Sequence, residues 1–211
     1  MKNIILPLVV ASLALSCCHK ASADITLYNN GPISGAIYEW QINDNNLVSD
    51  TFTLTQRSII TSIDFGAANL PDDTISQIDW DIASEPDQGT IYGEGTSAVT
   101  GTSAGTSSAS GFAGDPLYVD SFSTSPVVLT AGTYYLSLNN AVVNGTASGD
   151  GAYWDENDGP SIGVDDDSFY IGSESFDVQG TVVPEPSGLA LLGIGTLFVG
   201  FFIMRRRKSI A

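Results

Sequence analysis

Between Asp24 and Val182 the apolar residues alternate with polar ones and do not recur on a helical period. Ile78, Trp80 and Ile82 alternate with Asp79 and Asp81, and Tyr134, Leu136 and Leu138 share a second such face. A period of two buries one set of side chains and wets the other, the pattern of a half-buried strand. The same rule gives Ile59, Thr61, Ile63 and Phe65 one face, with Ser62 and Asp64 opposite. Shorter strands are predicted at Ile25–Tyr28, Ala36–Ile42, Thr51–Leu54, Thr90–Tyr92, Leu117–Phe122, Val127–Leu129, Ser168–Gly172 and Ser175–Val178. Many are rich in β-branched or aromatic residues, and Gly, Pro, Asn and Asp punctuate the chain between them. Gly93–Gly111 is almost all Gly, Ser, Thr and Ala; it offers little apolar surface to bury and reads as a flexible loop, with room for a short strand at Ala98–Thr100. No repeat is evident. The expectation for residues 24–182 is an all-β domain, an antiparallel β-sandwich of jelly-roll-like form.

The two ends follow other rules. Lys2 precedes an apolar run from Ile4 to Leu15, and Ala21 and Ala23 give a small-x-small cleavage pattern before Asp24. Residues 1–23 therefore read as a signal peptide, a helical export signal removed by signal peptidase. An alternative stays open: Leu13–Cys18 loosely resembles a lipoprotein cleavage site, in neither cysteine frame cleanly. At the other end, Gly188–Met204 contains no charge and no proline. As a helix it spans roughly 26 Å, close to a thin bilayer core. Arg205, Arg206, Arg207 and Lys208 follow and stop it on the cytoplasmic side, so everything before it lies outside.

Between domain and span lie Val183, Pro184, Glu185, Pro186 and Ser187. The two prolines keep this segment extended, a form open to an enzyme that reads backbone. Motif, apolar span and basic stop, in that order at the chain's end, resemble the PEP-CTERM sorting signal of Gram-negative, exopolysaccharide-producing bacteria. The resemblance implies recognition by an exosortase, a membrane-embedded cysteine transpeptidase-like enzyme, with transient anchoring before delivery to the cell surface or extracellular matrix. A second resemblance rests on Ser49–Phe52, Ile78–Ile82, Ala131–Leu136, Tyr153–Asp155 and Glu174–Phe176, which look like a recurring ectodomain of PEP-CTERM proteins. It implies the fold and no activity.

Charge and composition then narrow the chemistry. All 24 acidic residues lie between Asp24 and Glu185, against Arg57 alone, and neither Cys nor His remains after residue 23. Nucleic acid is excluded as a partner by repulsion, and Cys-His or Ser-His-Asp catalysis by composition. A glycosidase needs only two carboxylates, and the sequence singles out no pair; the expectation is a protein without catalytic residues. No cofactor is certain. Calcium is the candidate ion, at Asp155, Asn157, Asp158, Asp165 and Asp167, an oxygen-rich run lacking EF-hand spacing; a solvated acidic loop is the plainer reading. Among Trp40, Trp80, Trp154, Tyr92, Tyr118 and Tyr153, the pair Trp154 and Tyr153 is the candidate sugar contact, since aromatic faces stack on pyranose rings, while Trp80 reads as core. The function expected is a structural or adhesive role in the envelope or matrix, with carbohydrate binding and glycoside hydrolysis as alternatives.

Overall fold

The computed structural model describes residues 23–86, 89–145, 151–166 and 169–184. The signal peptide up to Ser22, and the sorting segment from Glu185 through its apolar span and basic stop, lie outside the described residues. Within them the chain is all β: β1 (Ile25–Asn29), β2 (Glu39–Gln41), β3 (Leu47–Leu54), β4 (Ser58–Asn69), β5 (Thr74–Ala83), β6 (Ile91–Thr106), β7 (Pro116–Leu129), β8 (Gly132–Asn144), β9 (Ala152–Asn157), β10 (Gly163–Asp165), β11 (Tyr170–Ile171), β12 (Ser173–Glu174) and β13 (Phe176–Val182).

Pairing is antiparallel throughout, in the order β1-β13-β4-β7-β6-β5-β8-β3-β10-β11. Three ladders explain the form. β3 pairs β8, β4 pairs β7 and β5 pairs β6. Two three-strand arms thus run side by side from the turn between β5 and β6, a long hairpin rolled on itself, which is the jelly-roll arrangement expected from the sequence. β6 closes the roll by serving two ladders in turn. Ile91–Ala98 pair with β5, and Val99–Thr106 pair with β7. The core lies between the curled layers: Phe52, Ile63, Phe65, Ile78, Ile82, Leu136, Leu138, Trp154 and Val178 are each at most 1% exposed.

Two expectations need correction. Gly93–Gly111 is not a loop over most of its length, because it forms most of β6. A strand is held by backbone hydrogen bonds, and here partners exist along its whole length; only Val99 is needed in the core. The small residues are what the packing requires. A Cβ on Gly93 would lie 2.5 Å from Val127 Cγ2, and one on Gly101 would strike the Asp120 carboxylate. The face assigned to β4 also changes along the strand. Ile60, Ile63 and Phe65 point inward, whereas Ile59 and Thr61 are half-buried. Against β13, a bulge between Ile60 and Ser62 inserts one residue into β4 and shifts the alternation. Elsewhere the alternation holds: Ile78, Trp80 and Ile82 are buried, as are Tyr134, Leu136 and Leu138.

Candidate functional site

The strand order fixes where the two ends of the described domain leave the sandwich. Ile25 of β1 pairs with Gly180 of β13, and Val182 pairs with Ser58 at the start of β4. The Val183 N–H then donates to the Arg57 carbonyl (2.9 Å). Asp24 and Pro184 therefore lie together, and Asp24 accepts a hydrogen bond from Thr61 Oγ1 (2.8 Å). β4 runs 12 residues from this end, roughly 35–40 Å at strand rise, to Asn69, which pairs with Ala152 of β9. Strands β2, β9 and β12 assemble beyond β13 at that far end, because β9 takes over the same edge of β4 that β13 vacates after Phe65.

The far end holds most of the sequence-predicted site residues, in roles that differ from those expected. Trp154 is fully buried, its ring 5.6 Å from Phe176 and 6.5 Å from Phe65, and its Nε1–H donates to the Ser175 carbonyl (2.9 Å). It is core and offers no face to a sugar. Tyr153, on the opposite face of β9, is half-buried and reaches a strip of rings. Phe112 lies 5.0 Å from Tyr153 and 5.4 Å from Tyr38, and Tyr38 lies 4.9 Å from Trp40. Tyr38 is 43% exposed. The Trp40 Nε1–H is held by Glu156 Oε2 (2.8 Å), which fixes the indole. Neither Tyr38 nor Phe112 is legible as a candidate in the sequence, since one lies within the predicted strand Ala36–Ile42 and the other sits beside a Gly/Ser tract.

The expected calcium set does not converge. Asp155 is fully buried and accepts the Ser34 and Gly35 N–H groups, both at 2.6 Å. Asn157 donates to the Asn30 and Pro32 carbonyls. These two side chains hold the loop between β1 and β2 and are not free to bind an ion. Asp158 is exposed, Asp165 accepts the Phe169 N–H (2.9 Å), and Asp167 lies outside the described residues. Among the described residues no group of three or more His, Cys, Asp or Glu side chains is placed to hold a metal ion.

What the sequence did not disclose is how many carboxylates are buried. Glu39, Asp50, Asp120, Asp155 and Glu174 are each at most 2% exposed. Burial pushes the Glu39 carboxyl up to about 7; the nearby Ser107 hydroxyl opposes the shift, and the Asp155 and Asp115 carboxylates add to it. Neither Glu39 oxygen has a hydrogen bond of good geometry. Burial lifts Asp50 to about 6 against hydrogen bonds from Glu174 N–H, Ser161, Thr51 N–H and Asn30. Glu174 is driven well above the ordinary glutamate range, first by burial and then by Asp50, Glu156 and Asp155. Acids on alternating strands read as a wet face, so no composition signal marks these as interior.

Surface depressions are shallow. One of about 280 Å³ carries the cross-strand pair Asp64 and Asp177, of which Asp64 accepts from Ser121 (2.5 Å) and Gln179 (3.2 Å). Another of about 310 Å³ carries Asp79, Asp81 and Glu94.

The fold and its ends thus define an all-β domain followed directly by a terminal sorting segment. Residues 182–208 match the PEP-CTERM protein-sorting motif. The chain carries the export and processing signal of an exosortase substrate, and the motif begins on the last residue of β13. A search of curated proteins finds no match to the chain.

Proposed function

We propose that this protein is a non-catalytic component of the cell surface or extracellular matrix, with a structural or adhesive role, which presents its working face at the end of the sandwich away from the sorting segment. One observation carries the reading. Asp24 and Pro184 leave together at one end, while the Tyr38–Trp40–Phe112–Tyr153 strip lies at the other, past Asn69 and Ala152. A body tethered at its C-terminus holds that strip outermost. Deleting the gene in the native host tests this. The expected result is weaker cell aggregation or matrix retention with an unchanged exopolysaccharide chain length. A changed chain length with normal aggregation contradicts it and favours the glycosidase alternative.

A second reading is supported by the strip itself, namely a carbohydrate-binding module for exopolysaccharide. Its rings are partly exposed, with Glu156 bonded to Trp40 and Asp115 near Tyr153, and these acids can accept from sugar hydroxyls. Co-sedimentation of the protein with the host's own polysaccharide tests it. Binding that survives Tyr38→Ala together with Phe112→Ala rules the strip out.

A further inference from the structure

We propose that the tip of the β6–β7 hairpin, Ser107–Asp115, is a pH-operated latch on the aromatic strip: it stays shut while Glu39 holds its proton and opens when Glu39 loses it. The latch is built on one carbonyl. Gly35 O accepts the Ser108 N–H (2.6 Å) and the Ala109 N–H (3.1 Å), and also the hydroxyls of Ser108 (3.1 Å) and Ser107 (3.3 Å). The tip then closes on itself, the Ser107 N–H donating to the Asp115 carbonyl and the Asp115 N–H to the Phe112 carbonyl. Phe112 is thereby set against Tyr38 and Tyr153. Within the tip only Ser107 and Ala109 are buried, so polar contacts more than core packing hold it down.

Gly35 is held in turn through its own N–H, which donates with that of Ser34 to Asp155. Glu39 stands directly opposite Asp155 in the β2–β9 ladder. Opposite residues share a face, with Cβ atoms about 5 Å apart, so two buried acids meet beneath the tip. Asp155 has two N–H groups to stabilise its charge. Glu39 is 1% exposed and neither of its oxygens is hydrogen-bonded. Buried carboxyls this close resist ionising together, and the proton belongs on the one without donors. The titratable groups facing Glu39 are Asp155 and Tyr153 of β9 and Asp115 of the tip, with Glu156 and Glu174 beyond Asp155. All are acidic, and Arg57, the one Lys or Arg among the described residues, is at the other end of the sandwich.

An ionised Glu39 therefore has no cation to turn to and is repelled by Asp155 and Asp115. Its relief is water, reached by lifting the tip that covers it at Ser107 and Asp115. Lifting breaks the bonds to Gly35 and takes Phe112 off Tyr153. The closed carboxyl titrates at about 7 against an ordinary 4.5, so closure is strongest below the ordinary value and weakens as pH rises through 7. The latch stands on the fold alone; only its effect on binding rests on the carbohydrate reading above.

Hydrogen exchange of the purified full chain at pH 6 and pH 8, read by mass spectrometry and corrected for the pH dependence of the chemical step, tests the latch. Protection of the segments Ser34–Gly35 and Ser107–Asp115 should fall roughly tenfold from pH 6 to 8, the change expected when opening returns the carboxyl to its ordinary titration. Glu39→Gln, which cannot ionise, should keep its protection within about twofold. Asp115→Asn takes away one repelling charge and should show a smaller fall than wild type. Unchanging protection in the wild type, a fall in Glu39→Gln equal to that of wild type, or an equal fall in Asp115→Asn would each overturn the latch. Co-sedimentation with the host's polysaccharide at the same two pH values keeps the two readings apart. Binding that weakens at pH 8 in wild type and not in Glu39→Gln is the expected result. Absence of binding at both pH values overturns the carbohydrate reading and not the latch, which the exchange decides by itself.

Discussion

Asp120 offers a direct test of how this fold handles its interior charge. It sits on β7 opposite Phe65 of β4 and Gly101 of β6, is 2% exposed, and its Oδ2 has no hydrogen bond. Burial alone raises its carboxyl to about 7 from an ordinary 3.8. Because the folded pKa lies above the unfolded one, the native state binds the proton more tightly. Stability is then fully present below about pH 4 and is lost as pH rises through 7. At about 1.36 kcal/mol per pH unit over roughly three units, the loss is at most about 4 kcal/mol. Asp120→Asn cannot ionise, but its amide leaves hydrogens unmet, which offsets about 1–2 kcal/mol. The variant should therefore match or fall slightly below wild type at pH 4 and exceed it by about 2–3 kcal/mol at pH 8. Urea melts of both proteins at half-unit steps from pH 4 to 8 measure the difference. Glu39 and Asp50 add slopes of the same sign to both proteins, so only the difference between them is read. Parallel curves would refute the reasoning, since they would mean that Asp120 ionises as freely in the fold as outside it.

Other consequences follow from named contacts. Trp154→Ala should cost about 3–5 kcal/mol in urea melts, as expected of a fully buried indole, whereas Tyr38→Ala should cost under about 1 kcal/mol, as the side chain is 43% exposed. Gly101→Val should cost about 1–3 kcal/mol through its clash with Asp120, and pairing it with Asp120→Ala should restore part of that loss in the same melts. In polysaccharide co-sedimentation, Phe112→Ala should weaken binding severalfold, while Tyr92→Ala, at the site of a ring pair with Tyr134 elsewhere, should leave it unchanged.

Where one face is apolar and the next charged, the sequence declared the strands plainly, as at Ile78–Ile82 and Tyr134–Leu138. It misled where backbone geometry overrode side-chain pattern. The bulge of β4 against β13 shifts Ile60 inward without any local signal, and β6 looks like a linker because its stability comes from strands on its flanks. The far end was the least legible. Trp154 neighbours acids in sequence, yet its strand turns it into the core, and Asp155 is spent on two N–H groups of a loop some 120 positions away. Glu39, Asp50 and Glu174 look solvated because acids usually are. Only the pairing of β2 and β12 with β9, and of β3 with β8 and β10, reveals them as interior. The sorting segment was legible throughout, since its signal lies in linear order and needs no fold.

The PEP-CTERM motif at residues 182–208 implies export and processing at the C-terminus. Intact-mass spectrometry of the protein from its native host, with and without a working exosortase, measures it most directly. The expected species begins at Asp24 and lacks the apolar span and Arg205–Lys208 when the enzyme is present, and keeps both when it is absent. A protein that keeps its basic tail in cells with active exosortase would contradict it.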